Sequence, residues 1–330
     1  MTAERWREVA LNYIAALGVI GVGYGVYSLH PFLTSFYSGD HFKLFMYVFW
    51  GYVVVLPFFY LSLPEGHPTK CRLAWRALRH LPWRLPTPDE KVALLAVLIK
   101  LYFLPMMIAW VAHHSAATVN YTQQFVESGA FFPHGYWALF NLAFLVDVAC
   151  FAVGYAVEHP RLGNEIRSVE PTVAGWLVAL LCYPPFNEVT QVLLGWHSSD
   201  YPGFQTLWVQ YLAGGAILVL MSIYAWASVT LAFKASNLTH RGIVVHGPYR
   251  WVRHPAYVAK NLAWWVGALP ILAAQWSQGP KAFAFAVVGT LGWTFIYYLR
   301  AITEERHLAR DPTYVAYRGR VRYRFLPGLW

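Results

Sequence analysis

Apolar stretches of about 20 residues recur along the whole chain, and this recurrence constrains the fold more than any other feature of the sequence. A helix of roughly 20 apolar residues is long enough to cross the hydrocarbon core of a bilayer. Helices are favoured there because lipid offers the backbone no hydrogen-bonding partner. The pattern predicts an all-α, polytopic integral membrane protein with about eight transmembrane helices, at 9–29, 44–63, 92–112, 136–157, 172–195, 206–233, 257–276 and 282–299.

The scarcity of charge supports the same conclusion. Charged residues make up 12% of the chain, against roughly 25% in soluble domains, and hydrophobic residues make up 58%. This composition excludes a soluble dinucleotide-binding enzyme and a disordered chain. The three cysteines, Cys71, Cys150 and Cys182, are too scattered for a disulfide scaffold or a metal clip.

The basic residues fall almost entirely on one side of the predicted helices. With the N-terminus inside, 22 of the 25 Lys and Arg residues lie in segments on the cytoplasmic side, while Lys43 and Lys281 lie outside and Lys100 lies within a helix. This positive-inside bias predicts that both termini are cytoplasmic. It also accounts for the net charge of +9 without nucleic acid. The expected membrane is the inner membrane of a bacterium or the endoplasmic reticulum of a eukaryote.

Two segments depart from the regular alternation of helix and loop. The stretch 64–91 is rich in Lys and Arg and holds two tryptophans, which predicts a short helix lying on anionic lipid headgroups. The apolar segment 172–195 is interrupted by Pro184-Pro185, which predicts a broken or re-entrant segment.

Composition changes near residue 234, where long apolar runs give way to a polar loop, a tight helical hairpin and a basic tail. We therefore expect two functional regions. The first, 1–204, consists of accessory transmembrane helices that form a lipid-side cavity or a docking surface. The second, 205–330, is expected to carry the chemistry.

Ionisable residues fall within or near the predicted helices at Lys100, Asp147 and Glu188. Charges at membrane depth usually pair or line a cavity. Lys100 and Asp147 therefore either pair across neighbouring helices or serve a substrate headgroup or a proton pathway, and Glu188 suggests a cavity beside the proline break. No metal is expected, because the histidines include one adjacent pair, at 113–114, and no HExxH motif.

The residues best suited to chemistry are concentrated in one loop and one tail. The loop reads HGPYRWVRHPAY over 246–257, and the tail holds an acidic pair at 304–305 followed by YVAYR at 314–318. Between them, two apolar segments of similar length turn at the Gly-Pro dipeptide 279–280, which is a strong helix break. Helical arms of equal length return the chain to its starting side. We therefore expect the loop and the acidic pair to share one cytoplasmic pocket.

This arrangement resembles the isoprenylcysteine carboxyl methyltransferase family. The resemblance rests on the pattern G-x-Y-x-x-x-R-H-P-x-Y, the helical hairpin, the Glu-Glu pair and the closing Y-x-x-Y-R…P, and it covers about residues 235–330. The family also resembles phospholipid N-methyltransferases. The resemblance implies a membrane enzyme that uses S-adenosylmethionine without a Rossmann fold. It further implies a lipophilic acceptor, a small molecule or a lipidated one, methylated at the cytoplasmic side.

The resemblance also implies roles for single residues. Arg253, His254 and Glu304 are expected to be catalytic, with Arg253 or His254 meeting the methionyl carboxylate. Ala259 replaces a glycine that is frequent in the family, which bears on acceptor specificity. The residues expected to bind the cofactor are His246, Gly247, Tyr249, Arg253, His254, Pro255, Tyr257, Glu304 and Glu305. Those expected to meet the acceptor are Arg250, Lys260, Asn261 and Arg318.

Other functions stay open on the sequence. A sterol-type membrane reductase that uses NADPH has a similar Arg-His-Pro-x-Tyr motif and an ending like YRFLP at 323–327, although Arg-Asp-Pro at 310–312 stands where a reductase more often has Arg-Asp-Glu. A transporter or a non-catalytic scaffold would instead depend on the charged residues within the helices. Taken singly, the motif residues also fit a basic loop before a proline-initiated helix.

Overall fold

The structure, a computed structural model, describes residues 2–29, 40–201 and 203–328. Within these ranges the fold is all-α, as predicted, with one short antiparallel ladder between β1 (Ser168–Val169) and β2 (Thr239–His240). The α-helices are α1 (Ala3–Leu29), α2 (Asp40–Ser62), α3 (Lys70–His80), α4 (Pro88–Ser128), α5 (Tyr136–Ala156), α6 (Val173–Leu180), α7 (Phe186–Leu194), α8 (Leu207–Leu231), α9 (Pro255–Gln278), α10 (Pro280–Leu308) and α11 (Pro312–Arg320). Single turns of other helix types lie at Phe131–Gly135, Pro160–Leu162, Ala232–Lys234 and Gly247–Arg250.

Several helices have the length and composition of membrane spans, so the prediction of a multi-pass membrane protein is confirmed. Within the described residues, five helical stretches are long and apolar enough to cross a bilayer: Ala3–Val26, Pro88–Ser128, Phe131–Ala156, Leu207–Lys234 and Pro280–Leu308. A shorter apolar stretch, Met46–Ser62, belongs to α2.

The predicted count of eight is higher than five for identifiable reasons. The segment 172–195 is not one helix but two, α6 and α7, of 8 and 9 residues, because the Pro184-Pro185 pair interrupts it. Each is far shorter than a bilayer-crossing helix. The segment 257–276 is continuous in α9, but Lys260 and Asn261 lower its apolar character.

Helix starts and stops follow local chemistry. Thr69 caps α3, with its hydroxyl accepting from the Arg72 N–H at 3.4 Å, and the Asp311 carboxylate caps α11 at 2.7 Å from the Thr313 nitrogen. Proline stands at the first position of α9, α10 and α11. Gly279 separates α9 from α10 with φ of +118°, so the predicted helical hairpin is present.

The chain forms two compact units. Unit 1 comprises Met1–His113, Phe151–Val169 and Phe233–Gly242, and unit 2 comprises His114–Cys150, Glu170–Ala232 and Ile243–Trp330. The predicted boundary between 204 and 205 falls inside unit 2, so the two compact units do not correspond to the two predicted regions. The division of function between those regions stays a prediction. Unit 2 contains every predicted site residue.

Each unit has its own apolar core. In unit 1, α1 packs against α2 and α3, and the core includes Val9, Leu56 and Tyr60. In unit 2, α9 packs against both α8 and α10, and Tyr136 and Ile217 are buried in the core beside it. Between membrane helices such side chains stabilise the fold by van der Waals packing, because lipid is as apolar as the core.

The predicted pairing of Lys100 with Asp147 is wrong. The Lys100 ammonium lies 2.8 Å from the Glu158 carboxylate. Asp147 instead accepts hydrogen bonds from the Tyr224 hydroxyl at 2.6 Å and from Ser228. Each charge thus finds a partner nearer in the fold, because α5 carries Asp147 onto α8 while the chain just beyond α5 carries Glu158 to Lys100.

Candidate active site

The loop before α9 is held in place by the C-terminal tail. The Arg253 N–H donates to the Tyr323 carbonyl at 3.0 Å, and the His254 N–H donates to the Arg324 carbonyl at 3.1 Å. These bonds fix the backbone on which the Arg-His-Pro motif stands. The loop and the tail are therefore one structural element, although they are about 70 residues apart in sequence.

Gly247 is required by the packing of this loop. Its φ is +58°, and a Cβ added there would lie 2.6 Å from the Thr230 hydroxyl oxygen on α8. Glycine adopts such a conformation without strain and permits the close approach. The backbone geometry therefore explains this glycine without a ligand, and its contact with a cofactor stays a prediction.

Glu305 is a buried carboxylate shared by three nitrogen-bearing side chains. It is 4% exposed. Arg253 donates from Nε at 2.8 Å, Arg324 donates from Nε at 3.1 Å and from Nη2 at 3.0 Å, and His254 Nε2 lies 3.1 Å away. The hydrogen bond to Glu305 raises the pKa of Arg324. Arg253 and His254 of the Arg-His-Pro motif are thus both bound to Glu305 within the protein itself.

Glu304 has a different environment although it is the next residue. Successive helical residues point about 100° apart, and the Glu304 side chain is 45% exposed. Its carboxylate accepts from the Tyr257 hydroxyl at 2.7 Å and lies 3.9 Å from His254 Nδ1. The His254 ring stacks on Tyr257 with centroids 5.2 Å apart. Glu304 is therefore oriented by the protein while keeping room for a ligand.

Aromatic rings extend from Tyr257 along α9 and α10. The rings of Tyr257 and Tyr297 meet edge to face at 5.3 Å, and Trp264 meets Tyr297 in the same way at 5.2 Å. The buried Arg300 guanidinium lies 5.2 Å from the centre of Tyr257, 5.5 Å from Tyr297 and 5.4 Å from Tyr183. The geometry is that of cation–π contacts.

Arg300, Tyr183 and Tyr297 were not predicted as site residues. Arg300 stands one helical turn before Glu304, and this i, i+4 spacing could have marked it as facing the same way. Tyr183 belongs to the interrupted segment 172–195, and the sequence carries no indication that it reaches α10.

Lys260 and Asn261 lie at the same group of rings. The Lys260 ammonium is 5.4 Å from the centre of Tyr224 and 5.5 Å from that of Trp264. Asn261 donates to the Tyr257 carbonyl at 2.9 Å, while its side-chain oxygen is buried and has no partner within the described ranges. The structure thus places Lys260 and Asn261, both predicted to contact the methyl acceptor, next to the aromatic rings.

The remaining predicted residues are less closely associated with Glu304 and the aromatic rings. Tyr249 is partly buried, and desolvation raises the pKa of its phenol well above the usual value, so it stays neutral at physiological pH. Arg250 lies over its neighbour Trp251 at 4.3 Å. His246 and Arg318 are exposed, and in the described part of the chain no side-chain contact joins them to Glu304. Pro255 begins α9.

The fold and this cluster define a class, a multi-pass all-α membrane protein with a polar and aromatic site at the open end of a C-terminal helical hairpin. Residues 215–310 match the model of the isoprenylcysteine carboxyl methyltransferase (ICMT) family. The matched range covers the Arg-His-Pro loop, α9 and the acidic pair. The resemblance predicted from the motifs is therefore confirmed for the C-terminal region.

A curated relative gives a more particular comparison. The chain is 33% identical over 119 residues to protein-S-isoprenylcysteine O-methyltransferase A of Arabidopsis thaliana. The similar stretch covers 34% of this chain and 52% of the plant protein. The chain thus spans about half the length of the relative it matches.

Proposed function

We propose that this chain is a membrane methyltransferase that transfers the methyl group of S-adenosylmethionine to a lipophilic acceptor. The observation that carries the proposal is the contrast between two adjacent carboxylates: Glu305 is buried among basic side chains, while Glu304 is half-exposed and oriented by Tyr257. The similarity of residues 215–310 to the methyltransferase family supports it. The name of the plant relative makes an isoprenylated cysteine carboxylate the first acceptor to test.

The residues at the site fit the charged parts of S-adenosylmethionine. Glu304 has acceptor capacity left for an ammonium group or ribose hydroxyls. The Tyr257 ring already contacts His254 and Arg300, so its hydroxyl, which holds Glu304, is the part of this side chain that serves the proposed cofactor site. The Asn261 side-chain oxygen, which has no partner among the described residues, offers a further hydrogen-bond acceptor. When bound, the cofactor supplies an activated methyl group whose leaving group is a neutral thioether.

Arg253 acts in this proposal as a positioning residue. Its Nε is bound to Glu305, and its Nη1 donates to the carbonyls of Val321 at 2.8 Å and Arg322 at 2.6 Å. A guanidinium used in this way has little left for a ligand. His254 is similarly engaged, since its Nε2 lies 3.1 Å from Glu305 and its Nδ1 lies 3.9 Å from Glu304, so the contact with the methionyl carboxylate that the resemblance implies for Arg253 or His254 stays a prediction.

The chemistry asks this chain to align two ligands and to exclude water. Methyl transfer is an in-line displacement, and an ionised carboxylate acceptor needs no general base. Arg300, buried among aromatic rings, can orient such a carboxylate with its planar donor fork. Correct alignment of two reactants can supply roughly 7–11 kcal/mol of a barrier. Among the described residues no cluster of His, Cys, Asp or Glu could hold a metal ion, and the proposed route uses none.

The proposed acceptor enters from the bilayer, and the cofactor enters from the cytosol. The placement of 22 of 25 basic residues on one side supports a cytoplasmic site and cytoplasmic termini. The expected membrane is the bacterial inner membrane or the endoplasmic reticulum. In this proposal 205–330 performs the transfer, and 1–204 is accessory.

Calorimetry on the purified full chain tests the proposal. Titration with S-adenosylmethionine, its demethylated product and NADPH separates the methyltransferase from the reductase. We expect both sulfur ligands to bind and NADPH to give no heat beyond dilution. Binding of NADPH alone would overturn the proposal in favour of the reductase.

A further inference from the structure

Unit 1 contains a cluster in which the Glu158 carboxylate forms ion pairs with two lysines and lies close enough to a buried arginine to act on its charge. Glu158 lies 2.8 Å from the Lys100 ammonium and 3.9 Å from that of Lys70, and its charge also acts on Arg241. Among the described residues no second carboxylate contacts these three cations. Burial would raise the pKa of Glu158, but Lys100 and Lys70 keep it below its usual value, so Glu158 is ionised. These four residues, the Glu158 cluster, therefore carry a net charge of about +2.

The guanidinium of Arg241 is incompletely satisfied within this cluster. Arg241 is 2% exposed. Its Nη1 donates to the Asn164 carbonyl at 3.0 Å, but its Nε and Nη2 have no partner among the residues that the structure describes. Burial lowers the pKa of Arg241, yet arginine stays protonated in proteins. Unpaired buried donors on a charged group are costly, so a site of this kind favours an anion.

An apolar cavity of about 320 Å³ lies in the same unit and includes Lys100 in its wall. Its volume falls within the range of small-molecule sites, which is roughly 300–1,000 Å³. The wall is mostly apolar, with residues such as Val19 and Leu104, and its polar residues are Tyr24, Tyr52, Cys71, Lys100 and Tyr155. The wall is built from α1, α2, α4 and α5 and from residues around Cys71, and three of these helices have the composition of membrane spans.

We propose that unit 1 binds an anionic amphiphile from the bilayer, with its hydrocarbon tail in this cavity and its phosphate or carboxylate group at the Glu158 cluster. Charge complementarity argues for the anion, since the cations outnumber the carboxylate by two. The apolar wall argues for the tail. The site belongs to unit 1 and is independent of the proposed methyl transfer, which uses residues of unit 2.

Binding to the purified full chain in a neutral detergent tests the site. The probes are oleoyl lysophosphatidate, mono-oleoylglycerol with the same tail, and inorganic phosphate, with dissociation constants from native mass spectrometry. We expect the phosphate-bearing lipid to bind at least tenfold more tightly than the glycerol ester and at least a hundredfold more tightly than phosphate. Equal affinity for both lipids would overturn the anion site, equal affinity for free phosphate would overturn the tail cavity, and absence of binding would overturn both.

Variants separate the two parts of the site. Lys100→Met should weaken lysophosphatidate binding at least tenfold and leave the glycerol ester unchanged, while Lys100→Arg should retain most of the preference. Glu158 keeps two cations in Lys100→Met, so the fold should persist. Leu104→Trp fills the cavity without changing charge and should weaken both lipids, which gives a second test if Lys100→Met does not fold. Lys91→Met, an exposed lysine on the same helix, is the matched control; an equal loss there, or no loss in Lys100→Met, would refute the proposal.

Discussion

Replacing Glu305 by alanine removes the carboxylate that Arg253, His254 and Arg324 share. Breaking a buried ion pair by removing one partner costs roughly 3–5 kcal/mol. Arg253 would keep two backbone carbonyls, and Arg324 is partly exposed. We therefore expect a loss near the lower end, about 3 kcal/mol.

Replacing Glu304 by alanine should lower the affinity for the cofactor more than the stability of the fold. This side chain loses one hydrogen bond, from the Tyr257 hydroxyl, and it is already 45% exposed. The cost in stability should be about 0.5–1.5 kcal/mol. Affinity for S-adenosylmethionine should fall at least tenfold, which corresponds to about 1.4 kcal/mol.

The two variants are compared by thermal unfolding of the full chain in one detergent and by calorimetry with S-adenosylmethionine. Glu305→Ala should unfold several degrees lower than Glu304→Ala, and Glu304→Ala should melt close to the wild type while binding weakly. Glu304→Gln keeps the size of the side chain and isolates its charge. If Glu305→Ala melts like the wild type, or if Glu304→Ala binds the cofactor normally, the assignment of roles to the two glutamates is wrong.

Three further predictions address other parts of the molecule. Arg300→Lys keeps the charge but loses the planar guanidinium, so the KM for the methyl acceptor should rise tenfold or more while the affinity for the cofactor stays unchanged. A change in cofactor affinity would contradict the role of Arg300 in orienting the acceptor. Gly247→Ala should destabilise the loop by about 1–3 kcal/mol in unfolding experiments. Thr230→Ala should relieve part of the loss, because it removes both the hydroxyl oxygen and the methyl group that the added Cβ would meet, and a neutral Gly247→Ala would contradict the packing argument. Because the folded pKa of Glu158 is lowered, its stabilising contribution is complete above its unfolded pKa of about 4.3 and is lost as the pH falls from there through the lower folded pKa. Unfolding midpoints measured from about pH 6 down to about pH 3 should be level at first and decline at the acid end, and Lys100→Met should reduce that decline.

The hairpin could be predicted from the sequence because its determinants are local. Gly279-Pro280 marks a turn between two apolar arms of similar length, and equal arms must end on the same side. The meeting of His254 with the acidic pair follows from that geometry alone, and the structure has it.

The different roles of the two glutamates could not be read from the sequence. Which of two adjacent helical residues faces inward depends on the packing of α10 against the loop and the tail. Glu305 is buried because Arg324 reaches it from the tail, a contact that joins residues on separate elements. The motif predicts a charged pocket, but it does not show which of the two carboxylates remains available to a ligand.

The failure of the Lys100–Asp147 pairing has a related cause. The sequence suggested that Lys100 and Asp147 pair because each is a charged residue in an apolar segment. In the structure each has a different partner that lies nearer. Asp147 is satisfied by hydroxyl groups of Tyr224 and Ser228, and Lys100 by Glu158, which lies just beyond the end of α5. Composition predicts that membrane charges need partners, whereas helix packing decides which ones they find.

The central claim is tested most directly by transfer of a radiolabelled methyl group from S-adenosylmethionine to an isoprenylcysteine acceptor by the purified chain. We predict that label enters the organic phase with the wild type and that Glu304→Ala reduces the rate at least tenfold. Lys281→Ala, a change at an exposed residue at the opposite end of α10, should have little effect. An absence of label with the wild type, or equal rates for the wild type and Glu304→Ala, would contradict the proposal.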